Sequence, residues 1–425
     1  SMIPVAGSAY TFTYTTVGEI MAWIIGWDLI LEMLMAGSVI SKYWGVYLND
    51  FMRLMGWNAN TNLTFGSFHI DIAPIIIVAF FTTLLVFGTK IGARVDGAMT
   101  VLKIAIVFFV VIVGFFYVKA SNFTPFIPPS QPASTVEGSS AVTGVMTQPL
   151  WQFATGMTPS VYGVPGILSG AALVFFAFIG FDVVATASEE TKNPHKNVPL
   201  GIGVGMLLII VMYMLVAVVT TGMVSYADLA KQDSPSLATA FELVGADWAA
   251  KIISFGIVLG LATVVMVLLL GLTRIVFAMS RDGLLPRGLS KTGKHGTPAA
   301  LQIVVGAVVA LVAAFFDIGV LSDMVNIGTL SAFTLVAISI PIMRKKRPDL
   351  PRAFKMPGSP WIPILIAVAN FWLMLNLSVL TWIRFVVWLV VGFAIYFGYG
   401  YWHARLGKGD LTETLSAETD KAVNG

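Results

Sequence analysis

The sequence predicts an all-α protein that crosses a membrane many times. Hydrophobic residues make up 57% of the 425, and charged residues only 11%, where soluble domains carry about 25%. Mean hydropathy is +0.86. Apolar runs of about 20 residues, the length that crosses a bilayer core as a helix, recur along the whole chain. A soluble fold of this composition would have almost no polar surface.

Ten spans follow in chain order. The first, 18–41, carries Asp28 and Glu32 four residues apart and so on one helical face. The second, 71–89, and the third, 92–118, flank the basic connection holding Lys90 and Arg94. Lys103 lies about eleven residues into the third, near mid-depth. The fourth, 166–190, is interrupted by Gly180 and Asp182 and closed by Pro194. The fifth is 198–223, and the sixth, 247–280, has Lys251 and Arg274 near its ends as interface anchors. The remaining spans are 299–316, 320–342, 361–381 and 383–402. Together they form one transmembrane domain over 1–402, followed by a polar tail, 403–425. The longest stretch outside the spans, 120–165, is rich in Pro, Ser, Thr and Gly and reads as an external loop.

The loops fix an orientation. Of 25 Lys and Arg, 17 fall in one alternating set of loops and the tail, five in the opposite set (Lys42, Arg53, Lys119, Lys231, Arg384), and three within spans. Basic loops stay in the cytoplasm, so both chain ends are expected there, in a multi-pass protein of the cell membrane.

Several chemistries are excluded or unsupported. Without cysteine there are no disulfides, thiol nucleophiles or cysteine metal sites, and four scattered His form no cluster. No Walker loop or HExxH appears. The G-x-G-D at Gly407 to Asp410 lies in the tail without a partner aspartate motif. Gly201-Ile202-Gly203 lacks the strand that a dinucleotide site needs. No cofactor, metal or nucleic acid is called for; a small membrane-protein partner is left unidentified.

Charges within spans are the informative residues, since each costs several kcal/mol unless paired or hydrated. Asp28, Glu32 and Lys103 either pair with each other or with backbone carbonyls and hold helices together, or mark a functional site. Gly180 poses a similar choice. Glycine is a poor helix former, and non-helical backbone at membrane depth survives only where it lines a cavity. A helix broken there presents N–H groups at one half-helix end and C=O groups at the other, which suit a zwitterion. Alternatively, Gly180 is a packing notch against a neighbouring helix.

The run FFAFIGFDVVATASEETKNPHKNVPLGI, residues 175–202, resembles the sixth helix and following loop of the amino acid–polyamine–organocation permeases, particularly the cationic amino acid transporter branch. PVAGSAYTF at 4–12, GWDLILE at 26–32, RIVFAMSRDGLLP at 274–286 and the stretch from Arg347 to Gly358 resemble it too. The resemblance covers essentially the whole chain. It implies the leucine-transporter fold of two inverted five-helix repeats, in which the ten spans correspond to helices three to twelve. The family's first helix and most of its second then lie outside this sequence, an expected N-terminal truncation, because Ser1-Met2-Ile3-Pro4 opens inside a family motif.

The resemblance also implies roles. Residues Phe176, Ala177, Phe178, Ile179, Gly180, Phe181 and Asp182 would supply half the substrate site. The carbonyls near Phe176 and Ala177 would face the ammonium, with Phe181 as an aromatic gate. Lys103 matches the fifth-helix lysine of proton-coupled members and would carry the coupling proton, with Glu32 in the polar network. Gly260, Ala262 and Thr263 would line the side-chain pocket, Ala262 leaving it roomy. The implied function is secondary active amino acid transport, proton-coupled uptake by alternating access. An exchanger, a sodium symporter and a non-transporting amino acid sensor are the alternatives.

Overall fold

Long apolar stretches become helices because, away from water, every backbone N–H must find its partner within its own segment. The structure, a computed structural model, describes residues 10, 19–57, 61–65, 68–88, 92–135, 144–180, 193–232, 236–293, 296–346 and 358–404. Among these, ten apolar helices follow in order. They are α1 (Glu19–Leu54), α2 (Ile72–Phe87), α3 (Gly92–Phe115), α4 (Gly163–Val174), α5 (Pro194–Met223), α6 (Asp247–Arg281), α7 (Ala299–Phe315), α8 (Ile318–Lys346), α9 (Trp361–Leu375) and α10 (Val379–Ile395). Six (α1, α3, α5, α6, α8 and α10 with its continuation to His403) are long and apolar enough to cross a membrane, while α2, α4, α7 and α9 are shorter. The all-α, polytopic expectation stands at that level.

At the centre of the bundle is α1. Its apolar window is 78% buried, against 11% in α3 and 6% in α5, so α3 and α5 carry the chain's outward apolar faces. Around α1 pack α6, α8, α7 and α2, and its contacts explain its burial. Trp27 stacks on Trp388 of α10 at 4.4 Å, and each indole N–H donates to the other residue's carbonyl, at 2.9 and 3.3 Å. Ser38 Oγ donates to Val309 O of α7 at 3.3 Å. Asp28, fully buried, accepts from Ser331 Oγ of α8 at 2.8 Å; that bond, rather than one to Glu32, holds its Oδ2. Where helices approach most closely, one side is glycine. Gly306 of α7 lies against Thr82 of α2, and Gly256 and Gly260 of α6, one turn apart, lie against Ile106 and Lys103 of α3.

Three stretches differ from the sequence expectation. First, α1 continues to Leu54, well beyond the apolar run 18–41. Its polar extension is held by Lys42, which donates to Ala313 O at 3.0 Å and pairs with Asp71 at 3.7 Å. Beyond it, Arg53 pairs with Glu242 at 2.8 Å. Second, an antiparallel hairpin, β1 (Asn62–Phe65) and β2 (Phe68–Asp71), precedes α2, with Asn62 opposite Asp71. Third, the expected span 361–381 is two elements: α9 stops at Leu375, and Ser378 caps α10 by accepting from Thr381 N at 3.2 Å.

The 120–165 loop is ordered where described. A two-residue ladder pairs β3 (Gln131–Pro132) with β4 (Ser160–Val161). A second staple joins the loop to the α9–α10 turn: Leu150 N donates to Leu377 O at 2.9 Å, Val379 N to Gln148 O at 3.1 Å and Leu380 N to Met146 O at 2.8 Å. The expected tail, 403–425, lies outside the described residues from 405 onward.

Candidate substrate site

Directly after α4 the helix gives way. Phe175–Phe178 tightens into a 3-10 turn, Ile179 is extended (φ −65°, ψ 141°), and Gly180 has φ +107°. Only glycine adopts that last conformation without strain. Among the described residues, a Cβ at Gly180 would meet nothing within 4 Å. Backbone conformation alone is enough to require glycine here, and among the described residues the packing-notch alternative finds no partner. Phe181 and Asp182, the rest of the expected break, lie outside the described residues.

A change from α-helix to 3-10 turn leaves carbonyls in need of donors. Phe176 O accepts from Ile179 N at 3.1 Å. Ala177 O accepts from the Tyr213 hydroxyl of α5 at 2.5 Å, and Phe178 meets the same tyrosine ring edge-to-face at 5.3 Å. Leu173 O accepts from Asn326 Nδ2 of α8 at 3.1 Å. Asn326 is fully buried, and among the described residues its Oδ1 has no hydrogen-bond partner. Tyr213 of α5 thus holds a carbonyl of the break, and Asn326 of α8 holds one in the last turn of α4. The carbonyls of the break form the electronegative end of a half-helix, an arrangement that suits an ammonium group.

The structure gathers part of the expected set. Phe176 and Ile179 pack against the same core cluster as Ala262 of α6. Lys103 is half-buried, and its stem crosses Gly260, where a Cβ would lie 3.1 Å from Lys103 Cγ. Thr263 is buried, but its hydroxyl donates to Gly260 O at 3.0 Å, within its own helix. Glu32 is fully buried in α1, one turn beyond Asp28.

Tyr213 and Asn326 escape a reading of the sequence. Each is one polar residue among others in its helix, and the carbonyls they serve are distant in the chain. Replacing Tyr213 by Phe removes one donor and nothing else. The expected result is a loss of about 1 kcal/mol, the net worth of one such bond. It is measured as a lower melting temperature in detergent with helical content unchanged.

Comparison with known proteins adds a further line. The family model described as "Amino acid permease" matches residues 1–400. The branched-chain amino acid permease BcaP of Bacillus subtilis (strain 168) is 42% identical over 416 residues, spanning 96% of this chain and 82% of that protein. The methylthioribose transporter of the same organism is 37% identical over 414 residues, again 96% and 82%. Cationic amino acid transporter 3, mitochondrial, of Arabidopsis thaliana is 35% identical over 351 residues, 81% of this chain and 52% of that protein.

Proposed function

Because this chain belongs to the amino acid permease family, we propose that it is a secondary transporter of amino acids with branched apolar side chains. Uptake across the cell membrane is driven by protons and proceeds by alternating access. One observation carries the reading: the break at Phe175–Gly180, in an apolar helix, presents carbonyls to an ammonium group. The small Ala262 beside this segment's core supports room for a branched chain. Relatives named as permeases and transporters support transport over enzymatic chemistry.

In this reading all ten helices span the membrane, as helices three to twelve of a fold of two inverted five-helix repeats plus two further helices, with both ends of this chain cytoplasmic. Phe176 and Ala177 hold the ammonium, and Phe178 to Asp182 complete that half of the site. Gly260, Ala262 and Thr263 face the side chain. Lys103 exchanges the proton, with Glu32 in the same polar network.

The test is uptake into proteoliposomes holding the full-length protein, with an inward proton gradient and labelled leucine, arginine or methylthioribose. Accumulation of leucine above equilibrium is expected, collapsing with the gradient and indifferent to sodium. Preferential uptake of arginine or methylthioribose overturns the substrate assignment. Leucine exchange without net accumulation identifies an exchanger, and binding without flux a sensor.

A further inference from the structure

A concavity of about 520 Å³, well removed in sequence from the break, opens where the C-terminal ends of α3 and α5 meet the segment before α6. The distribution of loop charges assigns this face to the outside. Pockets that hold small molecules run from about 300 to 1,000 Å³. This one is lined by a cation, an anion and aliphatic side chains: Lys119, Asp228, Leu243 and Val244, with Ser225 and Asn122 between them.

Its charges are not spent on one another. Among the described residues Lys119 makes no ion pair, although its backbone N–H is fixed to Gly222 O at 2.9 Å. Asp228 is oriented by Ser225, whose hydroxyl donates to Oδ2 at 2.8 Å, and by Lys231, whose Nζ lies 3.2 Å from Oδ1. These two partners hold the carboxyl below the usual carboxylate range, so it is ionised at neutral pH with lone pairs to spare. Asn122 Nδ2 donates to Gly222 O at 2.7 Å, locking the rim between α3 and α5. Leu243 is exposed, an aliphatic surface open to the pocket.

A cation, an anion shared with Lys231 and aliphatic side chains in one concavity suit a small zwitterion. We propose that this concavity is a second amino acid site, an outer station binding a zwitterion by its carboxylate on Lys119 and its ammonium on Asp228, with an aliphatic side chain against Leu243 and Val244. That the ligand is the transported one rests on the permease reading above; the binding chemistry does not. Exposed charge contacts are individually weak. The station is therefore low in affinity, loading and unloading quickly, and raises the local substrate concentration before entry.

Saturation-transfer NMR, which reads weak binding, tests it on the whole chain in detergent. The probes are leucine, isovalerate (no ammonium) and isoamylamine (no carboxylate). In a Gly180→Leu background, which disables the break, leucine methyl signals should persist. Lys119→Gln or Asp228→Asn should each weaken them by up to about five-fold, the ceiling for one exposed charge contact. Isovalerate and isoamylamine should bind as poorly to the Gly180→Leu protein as leucine does to these variants. Leucine signals indifferent to both substitutions, with Gly180 altered or intact, overturn the proposal. So does isovalerate binding as well as leucine, which marks a bare anion site. Should the wild type take up no leucine while the signal still depends on Lys119, the transport reading fails and the station stands.

Discussion

Lys103→Met should abolish proton-driven accumulation of substrate and leave exchange down a concentration gradient. The side chain comes from α3, whose apolar window is the second most outward-facing of the long helices, yet it runs inward across Gly260 of α6. A cation at this depth costs several kcal/mol unless it is paired or hydrated, so its protonation state and the local packing are coupled. Methionine keeps an unbranched stem of similar length over the glycine and removes the only titratable atom. Folding should therefore survive, with a melting temperature within a few degrees of wild type. In proteoliposomes with an imposed pH gradient, the variant's internal leucine should rise only to the external concentration. Accumulation equal to wild type would remove Lys103 from the coupling mechanism.

The second large effect is expected at Gly180. Forcing a side chain into φ +107° costs on the order of 1–3 kcal/mol. Since a Cβ there meets no described atom within 4 Å, Gly180→Leu relieves the strain by moving the backbone of the break rather than by pushing helices apart. If the break binds substrate, the cost falls on recognition: about ten-fold or more in Kd, since 1.4 kcal/mol is one decade. Thermal stability should change little. Equilibrium binding and melting temperature, measured on one preparation, separate the outcomes. Normal affinity with a sharp fall in melting temperature would make the position structural.

Apolar run length located the helices well, because lipid and core both demand an apolar segment closed on its own hydrogen bonds. It placed most of their ends within a few residues, but not all. The C-terminal part of α1 is helical through Asn49, Asp50 and Arg53, residues without hydrophobic signal whose partners Thr61, Ser236 and Glu242 are remote or across a turn. The hairpin before α2 is four residues a strand, too short for a pattern to rise above its surroundings. At the site, Gly180 was legible because a glycine amid bulky aromatics conflicts with a continuous helix. Tyr213 and Asn326 were not. Their importance lies in which carbonyl each reaches, a property of the assembled bundle.

The staple between the loop and the α9–α10 turn has a mechanical consequence. Three backbone hydrogen bonds tie residues 146–150 to residues 377–380. The loop runs on into α4, and α10 is itself locked to α1 by the paired tryptophans. The beginning of α4 is thereby moored, through α10, to the most buried helix in the protein. A rod fixed at one end swings at the other, and the other end of this rod is Phe175–Gly180. A tilt of α4 about its loop end would deliver its largest displacement to the carbonyls of the break, and would first have to part Tyr213 from Ala177 O and Asn326 from Leu173 O.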